Sequence, residues 1–237
     1  MKPLLRSFGI FIRQIIRDDM LWAVCLAPLL VALLFRFGIP YAESLLCAFF
    51  QKRAILAGYY LLFDLVLCFM PPYMFCFASA MVMLTERDEN MAGYMAVTPV
   101  GKTGYMLSRL VLPAAIAFPI SILLIHFFSL TDWNYLALSA VSLLMGLSSI
   151  AVALFIFSFS RNRVEGMAMV KLSGLLFVGL VAPFFVLSGS QYLVAFLPSF
   201  WAAKLCLEEN SLLMLPALAV SLVWIWVLGR RLERKLY

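Results

Sequence analysis

Six long apolar runs, separated by short polar segments, constrain the fold of this chain more than any other feature. A transmembrane helix needs about 20 apolar residues to cross the roughly 30 Å hydrocarbon core of a bilayer. The chain is 65% hydrophobic and only 13% charged, whereas soluble domains are about 25% charged. We therefore predict an all-α integral membrane protein that forms a single transmembrane domain over residues 1–237. The predicted spans are residues 20–39, 55–84, 105–130, 135–159, 167–187 and 212–228.

The first 19 residues have the pattern of an amphipathic helix that lies on the membrane. Apolar side chains recur at helical spacing from Pro3 to Arg17, while basic side chains cluster on the opposite face. A basic amphipathic helix of this kind lies in the membrane interface with its apolar face toward the acyl chains. No small-residue cleavage site follows a short apolar core here, so we expect residues 1–19 to form an interfacial helix and not a signal peptide.

Residues 188–210 decide how many times the chain crosses the membrane. This segment is apolar in its middle but short, and it contains Pro198. If it folds back without crossing, fourteen of the eighteen Lys and Arg residues fall on one side of the membrane and four on the other. The positive-inside rule places the basic-rich side in the cytoplasm. We therefore predict six spans with both termini in the cytoplasm, and a re-entrant outer helical hairpin between spans five and six. We expect the protein to lie in the cell (inner) membrane.

Prolines and polar residues set the expected shape of the spans. As a straight helix the run 55–84 would extend for roughly 45 Å, so we expect a kink at Pro71 and Pro72. Pro183 predicts a break in the fifth span. The polar-leaning residues 40–53 are expected to connect the first span to the second.

The loop at residues 84–104 is the sizeable inter-span loop on the basic-rich side. Glu86-Arg87-Asp88 is followed ten residues after Asp88 by Thr98-Pro99-Val100, and then by Tyr105-Met106-Leu107-Ser108-Arg109. This order resembles the loop after the second span of type II ABC exporter permeases, although Asn90-Met91 stands where that family has Gly-Thr. The order of interfacial helix, six spans and outer re-entrant element is also similar to that family.

The resemblance implies the membrane-spanning permease subunit of an ATP-driven exporter, embedded in membrane lipid. It implies a dimer with the same or a sister permease chain and two copies of a cytoplasmic ABC ATPase. ATP and Mg²⁺ would be bound by that ATPase, so no cofactor is expected in this chain. In the family the loop after span two contacts the ATPase, and its carboxylates are expected to be exposed to a basic groove. The coupling residues carried over are Glu86, Arg87, Asp88, Glu89, Thr98 and Pro99, and Tyr94 is an apolar candidate for the same contact.

The sequence contains no pattern that indicates an enzyme. Gly101-Lys102-Thr103 is similar to the end of a phosphate-binding loop, but Ala96 stands where that motif requires Gly. His126 is the single histidine, and it lacks the paired ligands that a zinc site needs. The net charge of +6 is accounted for by the topology. We therefore expect no catalytic residue, no metal site and no nucleic-acid partner.

Asp64 and His126 are the candidate pathway residues, since both lie within predicted spans and in the outer half of the membrane. A carboxylate inside a span is costly unless it faces a cavity or a partner. Either Asp64 is hydrated near the outer interface, or it pairs with His126. The pair would suit a proton-coupled secondary transporter, and a membrane scaffold that transports nothing is a further alternative.

The topology can be tested with cysteines introduced at single positions in a background without native cysteines. We expect Lys52→Cys to react with a membrane-impermeant thiol reagent added to intact cells, because Lys52 lies on the predicted outer side. Arg163→Cys and Lys235→Cys should be shielded. Labelling of Lys235→Cys from outside would contradict the six-span topology.

Overall fold

The computed structural model describes the backbone of residues 2–89 and 101–235, and the side chains of residues 7–89 and 104–232. Of the described residues 88% are helical, and none of them lies in a strand. Six helices in the described part of the chain are long and apolar enough to cross a membrane, which confirms the predicted all-α membrane fold with six candidate spans. The protein is a multi-pass membrane protein.

We number the helices α1 to α8 in chain order. The amphipathic helix is α1, Lys2–Arg17, and α7 is a short helix between the last two candidate spans. Most boundaries lie within a few residues of the predicted ones. The other bounds are α2, Asp19–Phe50; α3, Ala57–Asp88; α4, Gly104–Phe128; α5, Tyr135–Phe159; α6, Arg163–Phe185; α7, Pro198–Glu208; and α8, Met214–Lys235.

Helices α3 and α5 form the centre of the protein. The most apolar stretch of α3 is 78% buried and that of α5 is 72% buried, compared with 17% for α2. Helix α3 packs against α2, α4 and α5, while α5 also packs against α8. The outer helices therefore present large apolar faces to their surroundings, as expected of helices in lipid.

Helix α2 is longer than the predicted first span. The predicted connection at residues 40–53 is helical as far as Phe50, so that part of the prediction is wrong. A wider π turn at Leu34–Gly38 precedes Pro40, which then occupies a first-turn position where its missing N–H costs little. The helix ends where Gln51 adopts a left-handed conformation, with φ of 52°.

Helix α3 also extends further than the predicted second span. It continues unbroken through Pro71 and Pro72 and ends at Asp88. Residues 86–88 are therefore part of a helix and do not belong to the loop in which the sequence pattern placed them. Glu86 is fully buried, and this burial explains why the helix continues through a charged run.

Helix α6 is interrupted at Gly174 and not near Pro183, where we predicted the break. Its two halves are Arg163–Ser173 and Leu175–Phe185, and Pro183 lies inside the second half. The interruption follows Ser173, whose hydroxyl is 2.9 Å from the Tyr73 hydroxyl of α3. A tertiary contact therefore accompanies the break, and the proline is accommodated within the helix.

The segment at residues 188–210 contains a short 3₁₀ turn, Gly189–Val194, and helix α7. Eleven residues of helix extend for about 16 Å, which is too short to cross a hydrocarbon core of about 30 Å. Helix α7 packs against α6, α8 and α5. The re-entrant hairpin on the outer side remains a prediction.

Gly179 sets the close approach of α6 to α7. A Cβ atom added at Gly179 would lie 2.5 Å from the Ser199 Oγ and 3.0 Å from the Leu197 Cβ. The Ser199 hydroxyl cannot turn away without losing the hydrogen bond that it donates to the Leu176 carbonyl, at 2.5 Å. We expect Gly179→Ala to lower the free energy of unfolding by about 1–3 kcal/mol.

The measurement is the thermal unfolding midpoint in mild detergent, with Gly146→Ala as the matched control. A Cβ atom added at Gly146 meets nothing within 4 Å, so this helical glycine can be replaced without a clash. The control should be neutral or more stable by up to about 1 kcal/mol. Equal midpoints for the two variants would show that α6 and α7 are not tightly packed.

Candidate coupling site

A fully buried ion pair joins the end of α3 to the start of α4. The Arg109 Nη2 is 2.5 Å from the Glu86 Oε1, and the Arg109 Nε donates to the Glu86 Oε2 at 3.1 Å. The Tyr105 hydroxyl donates to the same Oε2 at 2.9 Å. Both charged side chains have no exposed surface. The carboxylate of Glu86 is thus held by three donors from one helix.

Arg109 extends this pair to the amphipathic helix α1. Its Nη1 donates to the Ser7 carbonyl at 3.0 Å, and its guanidinium lies 5.1 Å from the centre of the Phe11 ring. The hydroxyls of Ser7 and Ser108 are 3.4 Å apart. One arginine therefore contacts α1, α3 and α4 through charge, hydrogen bonding and ring contact.

The local structure of α4 brings these donors together. Arg109 lies in a π turn at Leu107–Val111, and such turns inside α-helices are frequent at functional sites. The Ser79 hydroxyl of α3 donates to the Arg109 carbonyl, and the Ser108 hydroxyl donates to the Tyr105 carbonyl at 2.8 Å. The irregular turn is thus bonded to α3 through its backbone as well.

The buried pair contributes more to the specificity of this helix arrangement than to its stability. Removing one partner of a buried ion pair leaves an unpaired charge and costs about 3–5 kcal/mol, whereas replacing the whole group with apolar residues is often neutral. Glu86 and Arg109 thus define one arrangement of three helix ends, because other arrangements would leave a charge unpaired.

This geometry corrects the prediction for Glu86. We expected its carboxylate to be exposed to a partner, and that expectation is wrong because Arg109 and Tyr105 enclose it. The sequence did carry a signal, since Arg109 is a charged residue within the predicted span 105–130 and intramembrane charges usually have a partner. Ser7 carried no such signal.

A second set of polar contacts lies at the same end of α3. The Arg87 Nη1 donates to the Ser160 carbonyl at 3.3 Å, and the Arg163 backbone N–H donates to an Asp88 carboxylate oxygen at 3.4 Å. The Arg163 guanidinium also forms an ion pair with Asp18, between α1 and α2. The ends of five helices, α1, α2, α3, α5 and α6, are therefore connected, while Glu89 is exposed.

Asp18 is a pH-dependent part of this set. Desolvation raises the pKa of the Asp18 carboxyl, but hydrogen bonds from the Arg163 side chain and from the Leu21 and Met20 backbone N–H groups hold the pKa below its ordinary value. A carboxyl with a lowered pKa in the folded state stabilises that state above its unfolded pKa, and the contribution disappears as the pH falls. The contact between Asp18 and Arg163 is thus formed at neutral pH.

Three of the predicted coupling residues, Tyr94, Thr98 and Pro99, lie outside the described residues. Their role in contacting an ATPase stays a prediction. Within the described residues, no group of three or more His, Cys, Asp or Glu side chains could hold a metal ion.

The carboxylate of Asp64 is surrounded by hydrogen-bond donors from the turn after α4, whereas the pathway hypothesis considered a pair with His126. The carboxylate is buried and accepts hydrogen bonds from the Leu130 N–H at 2.9 Å, the Thr131 N–H at 3.0 Å and the Trp133 Nε1 at 3.0 Å. The Thr131 hydroxyl adds a fourth, at 2.5 Å. Asp64 thus orders the turn between α4 and α5.

His126 contacts Tyr135, and no contact with Asp64 is found among the described residues. The His126 Nδ1 is 3.0 Å from the Tyr135 hydroxyl, across the same turn between α4 and α5. The predicted pair between Asp64 and His126 is therefore not formed in this conformation. A pathway role for either residue stays a prediction.

The hydrogen bonds of Asp64 predict a structural effect of its substitution. Asp64→Asn replaces one acceptor oxygen with an NH₂ group that faces other donors, so we expect the free energy of unfolding to fall by about 2–3 kcal/mol. The thermal unfolding midpoint in detergent checks this, with Asp132→Asn in the same turn as the exposed control. An unchanged midpoint with lost transport would instead favour a pathway role.

Comparison with known proteins gives the family of this chain. The family described as fluoroquinolones export permease protein Rv2686c-like matches residues 11–230. The fluoroquinolones export permease proteins MT2760 and Rv2686c of Mycobacterium tuberculosis (strains CDC 1551 / Oshkosh and ATCC 25618 / H37Rv) are each 32% identical over 105 residues. That segment covers 42% of this chain and only 42% of either relative, and no solved structure matches. Because the family match covers most of its length, the chain belongs to the Rv2686c-like fluoroquinolones export permease family, a type II ABC permease family.

Proposed function

We propose that this chain is the membrane permease subunit of an ATP-driven exporter. It forms the translocation path as a dimer with a second copy or a sister chain, and two cytoplasmic ATPase subunits bind ATP and Mg²⁺. Membership of an export permease family and six candidate spans support this proposal. We place the protein in the inner membrane, and the distribution of Lys and Arg supports cytoplasmic termini.

The observation that carries the proposal is the buried pair between Glu86 and Arg109. Residues 90–100 lie between the end of α3 and the start of α4, so an ATPase that pushes on them displaces both helix ends. Glu86 and Arg109 bond these two ends to each other, and Arg109 bonds them to Ser7 of α1. The push is thereby passed to three helices as one rigid movement.

Docking and transmission are assigned to different residues. Glu89 is exposed and supplies a carboxylate to the ATPase, although an exposed ion pair contributes only about 0–1 kcal/mol. Tyr94 supplies apolar contact, while Thr98 and Pro99 end the docking segment. Glu86 makes no direct contact with the ATPase, because its carboxylate is enclosed within the permease.

Two variants separate docking from transmission. In the docking variant, Glu89→Arg with Tyr94→Ala, we expect the ATPase to be lost from pull-downs. In the transmission variant, Glu86→Leu, Tyr105→Phe and Arg109→Met remove the buried polar group as a whole, a replacement that is often neutral for stability. This variant should retain the ATPase while ATP-dependent efflux falls at least roughly tenfold, a loss of about 1.4 kcal/mol in coupling.

Efflux is measured in proteoliposomes with a fluoroquinolone, the compound class in the names of the two relatives. The matched control for docking is Asp132→Arg with Tyr135→Ala, an acidic-to-arginine and a tyrosine-to-alanine change at two exposed positions, one in the turn after α4 and one at the start of α5. It should retain both the ATPase and efflux. If the docking variant also retains both, residues 90–100 only connect two spans, and an ATPase does not act on the permease through them.

A further inference from the structure

An apolar cavity of about 200 Å³ lies beneath helix α1, between α1, α2, α3 and α4. Its lining includes the buried Phe11 and Ile15 and the exposed Ile12, Ile16 and Trp22. The cavity thus extends from the packed interior to a surface that carries large apolar side chains. Its lining side chains are apolar apart from the thiol of Cys25 and the indole N–H of Trp22, so the cavity suits a hydrocarbon chain better than a polar solute.

The same helix carries two basic residues next to the exposed edge of this cavity, since Arg13 follows Ile12 and Arg17 follows Ile16, two residues of its lining. Arg13 and Arg17 are both exposed, and their spacing of four residues puts them on one face of α1. Neither forms an ion pair with a described carboxylate, and Asp18, the nearest in sequence, is engaged by Arg163. Two like charges at this spacing repel each other, so the face favours a bound anion.

We propose that the cavity and these two arginines form a site for one anionic phospholipid. An acyl chain occupies the cavity, and the phosphate lies against Arg13 and Arg17. The site combines apolar burial with attraction between opposite charges, the two terms by which amphipathic helices bind anionic membranes. Trp22, exposed at the cavity wall, has the amphipathic ring that favours the membrane–water interface.

The site is next to the coupling pair. Phe11 lines the cavity on one side, and the Arg109 guanidinium lies 5.1 Å from its ring centre. An acyl chain in the cavity therefore packs against a residue that holds Arg109 in place. The lipid site does not depend on the exporter proposal, since it rests on contacts of α1 with α2, α3 and α4 alone.

A photoactivatable lipid tests the site directly. The protein is reconstituted in phosphatidylcholine vesicles that contain phosphatidylglycerol or phosphatidylcholine with a diazirine on one acyl chain. After illumination, cross-linked peptides are mapped by mass spectrometry. We expect the phosphatidylglycerol probe to label the peptides from Phe11 to Cys25 at least roughly fivefold more than the phosphatidylcholine probe, because each of the two arginines near an anionic headgroup contributes up to about that factor.

Two pairs of variants control the experiment. Arg13→Gln with Arg17→Gln should abolish the headgroup preference, while Lys52→Gln with Arg53→Gln removes the same charge from another exposed region and should preserve it. Cys25→Phe fills the cavity and should lower labelling by both probes, whereas Cys25→Ser should not. Equal labelling by both probes in the wild type would overturn the proposal. A disulfide between the Cys25 thiols of two copies would also overturn the proposal, because it would show that a second protomer covers the cavity.

Discussion

The interaction on which the rest of the structure depends is the buried bond between Glu86 and Arg109. In a membrane protein an ionised pair without exposed surface persists only if each charge meets complementary groups on every side. Here the Tyr105 hydroxyl donates a further hydrogen bond to the carboxylate. The Ser7 carbonyl and the Phe11 ring contact the remaining part of the guanidinium. The pair therefore determines where α1, α3 and α4 meet.

Two other carboxylates also accept several hydrogen bonds where one span is connected to the next. Asp64 collects four donors from the turn between α4 and α5, and Glu43 accepts the Ile55 and Leu56 backbone N–H groups at 2.9 and 2.6 Å. In both cases one carboxylate satisfies backbone groups that would otherwise lack partners in or near the membrane. Both carboxylates thus stabilise connections between spans.

The sequence was sufficient for the fold class and the six spans, because long apolar runs leave few alternatives in water or in lipid. It was insufficient where tertiary contacts decide local structure. The charged run Glu86-Arg87-Asp88 predicts an exposed loop unless the partner of Glu86 is known. That partner, Arg109, is 23 residues away in the sequence. Pro183 reads as a helix break, yet the break lies at Gly174 beside the contact between Tyr73 and Ser173.

The central claim is that the ends of α1, α3 and α4 move as one unit when the ATPase acts on the permease. The most direct measurement locks two of them together. The Ser7 and Ser108 hydroxyls are 3.4 Å apart, so Ser7→Cys with Ser108→Cys, in a background without native cysteines, places two thiols close enough to form a disulfide. The account predicts that the oxidised protein exports its cargo as fast as the reduced one, because the disulfide joins parts that already move together. Loss of export on oxidation and its recovery on reduction would show that α1 must slide against α4, and would contradict the account.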